Sequence, residues 1–213
     1  MKKVAVVLAG CGRMDGSEVH ESVLSLLFLA RGGAKYQCFA PDEPQRGVVD
    51  HLSGKAMAET RNQIVEAARI ARGDIRPLTS ARAADFDALL VPGGNGAFKN
   101  LGHGPGDLHP ELRRLLNEFA DAGKPIAAVC IAPVLVARAL GSRGVELTIG
   151  DDRDTATAIE KTGARHVPCA VGDCVADERR KVVSTPAYML GPGIADVAAG
   201  IEKCVARLLK WLD

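Results

Sequence analysis

Pro125-Ile126-Ala127-Ala128-Val129-Cys130-Ile131-Ala132-Pro133 is an apolar run of strand character that stops at a cysteine. The segment that follows, 131–140, reads as a helix, so Cys130 stands at a strand-to-helix turn. Such a turn presents a side chain at the carboxyl edge of a sheet. The helix N-terminus aims backbone N–H groups at it, an environment that favours a thiolate. Against that, most free cysteines are small buried hydrophobes. The rest of the chain has to decide between the two.

Upstream, residues 3–8 form a continuous apolar run, as expected of a parallel strand buried on both faces. A glycine-rich loop, 10–16, leads to a helix over 18–31, with Asp15 or Ser17 as cap and Gly33 just past its end. A second strand over 36–40 is closed by Pro41. A long polar connection then runs to Ser53, a plausible cap for a helix over 55–72. A short strand at 74–78 and another at 88–91 follow, the latter ending at Pro92-Gly93-Gly94-Asn95-Gly96. A loop over 102–110 precedes a helix over 111–122. Beyond the cysteine come a strand over 145–149, a short helix over 155–161, and late strands at 166–168 and 175–184. The last is expected to fold as a hairpin around Asp177-Glu178-Arg179. An amphipathic helix over 194–212 closes the chain.

This alternation predicts an α/β fold: a doubly wound, mostly parallel sheet with helices on both faces. With no internal repeat or linker, 1–213 reads as a single domain. Ligands bind beyond the carboxyl ends of such strands. Three loops with unusual chemistry leave those ends, 10–21, 92–100 and 130–133, and they should converge on one pocket.

Composition narrows the function. The net charge of +1 with no long basic block argues against nucleic acid. No apolar run reaches membrane-spanning length. The two lysines and short apolar run at the N-terminus read as a first strand rather than a signal peptide. The six cysteines are therefore expected reduced, in the cytoplasm.

Each constellation competes with a plainer reading. The loop Gly10-Cys11-Gly12-Arg13-Met14-Asp15-Gly16 has glycine spacing that could admit a pyrophosphate to a helix start. Asp15, Glu18 and Glu21 crowd that start with negative charge, so a turn needing positive φ is the better reading. Glu21 lies in the first turns of the helix and points back to the sheet edge, where a desolvated carboxyl beside a thiol could shuttle its proton. Glu18 fits a solvated face better. Backbone N–H groups at Gly93 and Gly94, together with that of Ile131, could form an oxyanion hole. His166, Cys169 and Cys174 lack the spacing of a structural zinc site, and no serine stands in a G-x-S-x-G elbow. Cys11, Cys38, Cys169, Cys174 and Cys204 read as packing or incidental thiols. His20, His51, His103 and His109 read as surface or packing residues.

A glutamate on the first helix, a Pro-Gly-Gly turn and a cysteine elbow together resemble the class I glutamine-amidotransferase-like superfamily, which includes the PfpI-type peptidases. Asp15-Gly16-Ser17-Glu18-Val19-His20-Glu21, His51-Leu52-Ser53-Gly54, Glu59-Thr60-Arg61-Asn62, Lys99-Asn100-Leu101, Cys130-Ile131-Ala132-Pro133 and Thr185-Pro186-Ala187-Tyr188-Met189-Leu190 are similar to one branch of it, the ElbB-like isoprenoid-biosynthesis proteins. The resemblance spans essentially the whole chain. The loop after Asn100 is shorter than that branch would suggest.

The resemblance implies a flavodoxin-like sheet, a homodimer, and glyoxalase activity on a small dicarbonyl without cofactor or metal. The superfamily nucleophile falls on Cys130 and its partner glutamate on Glu21. The superfamily's third residue, a histidine about twenty positions later, is missing: that place falls near Gly150 and Asp151. This leaves Asp151, His20 or water to relay the proton. Working glutamine amidotransferases carry a late histidine and glutamate, absent from 184–188, and PfpI-type peptidases carry a histidine where Ile131 stands. Both activities are disfavoured. The alternative to an enzyme is a non-catalytic redox sensor or accessory factor using the same thiol.

Overall fold

A computed structural model of the protein describes residues 1–102, 107–191 and 193–213. Seven strands form the main sheet: β1 Lys3–Val7, β2 Lys35–Ala40, β3 Ile75–Pro77, β4 Ala88–Val91, β5 Ile126–Val129, β8 Val175–Asp177 and β9 Val182–Thr185. Their order is β3-β2-β1-β4-β5-β9-β8, parallel throughout except for β8, which pairs antiparallel at one edge. Two short strands, β6 Glu146–Leu147 and β7 Arg165–His166, make a separate parallel pair. The helices are α1 Val19–Arg31, α2 Gln63–Ala71, α3 Asn95–Gly102, α4 Pro110–Asp121, α5 Ala132–Leu140, α6 Arg153–Glu160 and α7 Ile194–Lys210. This is the expected flavodoxin-like α/β architecture.

Alternation along the strands sorts the core into two layers. Ala5, Val7, Leu89 and Val91 pack on one face with residues of α3, α4, α5 and α6; Val4, Val6, Leu8 and Leu90 pack on the other with α1, α2 and α7. Strand order reverses between β1 and β4, so a crevice opens at their carboxyl ends. α1 leaves β1, the Pro92-Gly93-Gly94 turn leaves β4, and Cys130 leaves β5. The three loops therefore depart from adjacent strands, and this adjacency positions the site.

Several elements differ from expectation, for local reasons. α2 begins at Gln63, not near residue 55, because the Asn62 side chain caps it, accepting from the N–H groups of Ile64 and Val65. Ser53 instead donates to Asp50 in a turn at 2.6 Å, and Val49 and Ala56 bridge across that excursion. α1 is capped by Glu18, whose carboxylate accepts the Glu21 N–H at 2.7 Å. Asp15 is buried holding the Val49 N–H, and Ser17 accepts the N–H of Ala9. Residues 95–100, expected as loop, lie in α3. Its first N–H groups are satisfied by the glycine loop, Gly96 donating to Arg13 O and Ala97 to Gly16 O. A Cβ at Gly96 would stand 1.8 Å from Gly16 N, so only glycine permits that contact. A 3-10 turn at Ala187–Leu190 follows β9.

Candidate active site

β5 ends with the Cys130 N–H donating to Thr185 O, which extends its pairing with β9 by one residue. The chain must then reverse into α5, and Cys130 takes φ 63 to do so. A left-handed backbone at a non-glycine residue costs about 1–3 kcal/mol and persists only where the surroundings enforce it. The reward is that the thiol points back over the sheet edge.

Glu21 stands opposite, one turn into α1 and fully buried. Its carboxyl is hydrogen-bonded to the Cys130 thiol. Oε2 also accepts the Gly93 N–H at 3.1 Å, and Oε1 accepts the Tyr188 N–H at 3.3 Å. A Cβ at Gly93 would lie 2.5 Å from Cys130 Cβ and 2.7 Å from Glu21 Oε2, so glycine there is a requirement of the site. Gly94 has φ +110, and its N–H and that of Ile131 face the Cys130 sulfur.

Burial dominates the electrostatics. It pushes the Glu21 carboxyl up to about 8, aided by the charge of Glu18 and opposed by the bonds from Cys130, Tyr188 and Gly93. Burial likewise pushes the Cys130 thiol upward, as do the charge of Glu21 and its hydrogen bond. The two amides oppose this but do not overcome it. A free thiolate favoured by the helix start is therefore corrected: burial holds both the thiol and the carboxyl toward their protonated forms.

The dyad opens on a cavity of about 770 Å³. Arg13, Met14, Glu18, His20, Tyr188 and Met189 are among the residues that line it. His20 Nδ1 and the Tyr188 hydroxyl are 2.8 Å apart, and this contact ties the 187–190 turn to α1.

The structure thus brings together Cys130, Glu21, Gly93, Gly94, Ile131, Glu18 and His20. Glu18 is a cap on the cavity wall rather than a solvated residue. Gly93 differs from its expected role, because its N–H is committed to Glu21; the donors facing sulfur are Gly94 and Ile131. Asp151 is not brought in. It is exposed, outside the cavity lining, beyond a turn in which Gly150 adopts φ +98. Sequence reading passed over Tyr188, Arg13, Met14, Asn95 and Met189 as lining residues. Of these, Tyr188 and Met189 lie inside the 185–190 stretch that carried a signal.

The glycine loop serves packing, with Gly12 at φ +135 and Gly16 pressed against α3. Glu18 occupies the helix start where a phosphate would bind. Burial pushes the thiols of Cys38 and Cys169 to about 12 and about 11, and Cys204 is wholly buried. His109 caps α4, accepting the Glu111 N–H, and His51 accepts the Met14 N–H. His103 lies outside the described residues. Among the described residues no group of three or more His, Cys, Asp or Glu side chains is arranged to hold a metal ion, and no helix is long and apolar enough to cross a membrane.

Residues 2–186 match the family described as DJ-1/PfpI. The chain is 44% identical to the human glutamine amidotransferase-like class 1 domain-containing protein 3, mitochondrial, over 98% of this chain and 82% of that one. It is 42% identical to the rat ES1 protein homolog, mitochondrial, over 98% and 83% respectively. A crystal structure from Ehrlichia chaffeensis, of an isoprenoid biosynthesis protein with amidotransferase-like domain, superposes with a TM-score of 0.96 at 40% identity, covering all of both chains.

Proposed function

The chain belongs to the DJ-1/PfpI family, and on that premise we propose that it is a cofactor-independent glyoxalase. The observation that carries the reading is the Cys130 thiol hydrogen-bonded to a buried Glu21, with two backbone amides at the sulfur and a cavity in front. In this reading Glu21, as carboxylate, accepts the thiol proton while sulfur adds to one aldehyde carbon of glyoxal. The product is a hemithioacetal, and the Gly94 and Ile131 amides hold its oxygen as charge develops. Glu21 returns the thiol proton to the alkoxide oxygen. A carboxylate again, it removes the proton from the same carbon and delivers it to the neighbouring one through an enediol, while the hydroxyl proton passes to the neighbouring oxygen. This gives the thioester of the 2-hydroxy acid. Water hydrolyses the thioester to glycolate and frees the thiol; methylglyoxal would give lactate by the same steps. Among relay candidates His20 is the one at the cavity, while Asp151 lies away from it.

We propose further that 1–213 acts as one domain, that the protein works in the cytoplasm, and that it is a homodimer. The dimer reading draws support from the stripe Val19, Val23 and Leu27, spaced one helical turn apart on α1 and 38–48% exposed. A monomeric mass in solution would end it. Localisation is read by fractionation, since the human and rat relatives carry "mitochondrial" in their names.

Purified protein given glyoxal, without glutathione or added metal, should release glycolate, and Cys130→Ala should abolish this. Full activity in Cys130→Ala would end the proposal. A second reading, a redox sensor, is favoured by the same two amides, which would also hold the oxygens of an oxidised sulfur. Selective oxidation of Cys130 by dilute peroxide, with negligible glyoxal turnover, would select it.

A further inference from the structure

At the opposite edge of the sheet from Cys130, the amino end of β9 borders a second cleft of about 220 Å³. Four cations line it: Arg143, Arg179, Arg180 and Lys181. Leu140 and Val182, both buried in the core, lie at its floor. The volume is that of about seven waters, taking roughly 30 Å³ for each.

Three of the cations are consecutive on the β8–β9 turn, and hydrogen bonds anchor that turn at both ends. Asp177, 6% exposed, uses both carboxylate oxygens on the backbone: Oδ1 accepts the Arg180 N–H at 2.9 Å and Oδ2 accepts the Glu146 N–H at 3.0 Å. The Lys181 carbonyl accepts the Ile126 N–H at 2.9 Å, which fixes the far end. Lys181 itself sits at φ 53, a left-handed position that favours glycine or asparagine. The backbone accepts strain there and keeps a charge at the cleft.

Counter-charge is scarce at the cleft. Arg143 is ion-paired with Asp121 and donates to Asn117, each at 2.7 Å, so the unopposed charge is that of the turn. Glu178 turns away to Arg207 and Trp211. Among the described residues, the side chains of Arg179, Arg180 and Lys181 have no ion pair or hydrogen bond with a protein group.

We propose that this cleft binds the phosphate or diphosphate group of a small molecule, held by Arg143, Arg179, Arg180 and Lys181. Guanidinium forks match phosphate oxygens in pairs, and several clustered cations select a multiply charged group over a single carboxylate. The site lies a strand's length from the dyad and stands independently of the glyoxalase reading.

The test uses the whole protein with inorganic pyrophosphate and inorganic phosphate as probes, followed by titration calorimetry, with sodium chloride at matched ionic strength as control. Saturable binding is expected, with pyrophosphate about tenfold or more tighter than phosphate, a step worth one factor of ten in affinity. The double variant Arg179→Gln with Lys181→Asn should lose at least that factor, since asparagine suits the left-handed backbone and leaves the turn intact. A response reproduced by chloride would overturn the site. So would pyrophosphate binding unchanged in the double variant, which would place the anion elsewhere, for instance near Arg13. Because Arg179 and Lys181 are remote from Cys130, glyoxal turnover by the variant reports separately on the dyad.

Discussion

Replacing Glu21 by glutamine should change not only activity but the way stability depends on pH. Burial raises this carboxyl from 4.5 to about 8. Between those values the unfolded chain ionises it while the folded chain keeps it protonated. The folded state then binds more protons than the unfolded one, so stability falls as pH rises, by about 1.4 kcal/mol per pH unit. Over the whole interval the loss is on the order of 5 kcal/mol, a large share of what a domain of this size possesses. Glu21→Gln removes the titration. It also replaces one acceptor oxygen by an NH₂ group, which leaves the N–H of Gly93 or Tyr188 unsatisfied at a cost of about 1–3 kcal/mol. That second effect does not vary with pH. Urea unfolding of both proteins at pH 5, 6, 7 and 8 separates the two: the variant should be the weaker protein at pH 5 and gain steadily on the wild type toward pH 8. Parallel stability curves across this range would refute a protonated, buried Glu21.

The same proton governs activity. Glyoxal turnover, measured as kcat/KM, should rise about tenfold per pH unit below about 8 and level off above it, as Glu21 becomes the carboxylate that can accept the thiol proton; a flat profile from pH 6 to 8 would exclude it as the base. Gly93→Ala drives a methyl into Cys130 and Glu21, and should cost about 1–3 kcal/mol in denaturant unfolding along with most activity. Asn62→Ala should cost about 1 kcal/mol through the lost cap of α2, whereas Ser53→Ala should stay within about 0.5 kcal/mol; equal losses would mean the cap was misassigned.

The strands, the sheet and the three converging loops were legible because buried parallel strands announce themselves as unbroken apolar runs, as in Val4-Ala5-Val6-Val7-Leu8 and Ala88-Leu89-Leu90-Val91. α2 was overextended because Ser53 suits a helix cap, while nothing local reveals that Asn62 and the Asp50–Ser53 turn settle the boundary. α3 was hidden because its glycines look like breakers; Gly96 is there for close contact with Gly16, a tertiary reason. At the site, Cys130 and Glu21 were readable from their places after strands. The use of Gly93 by Glu21, and the Tyr188 N–H on the other carboxyl oxygen, depend on how three segments meet. So does the ionisation of Cys130: the helix start argues for a thiolate, and only the packed structure shows burial outweighing it.

The central claim is that glyoxal chemistry passes through sulfur on Cys130. Acid quenching of the wild-type protein during glyoxal turnover, followed by peptide mass spectrometry, tests it most directly. The account predicts a 2-hydroxyacyl thioester on the peptide carrying Cys130, absent from the peptides of the other cysteines and lost in Cys130→Ala. Glycolate formed at full rate with no acyl mass on Cys130 would contradict it.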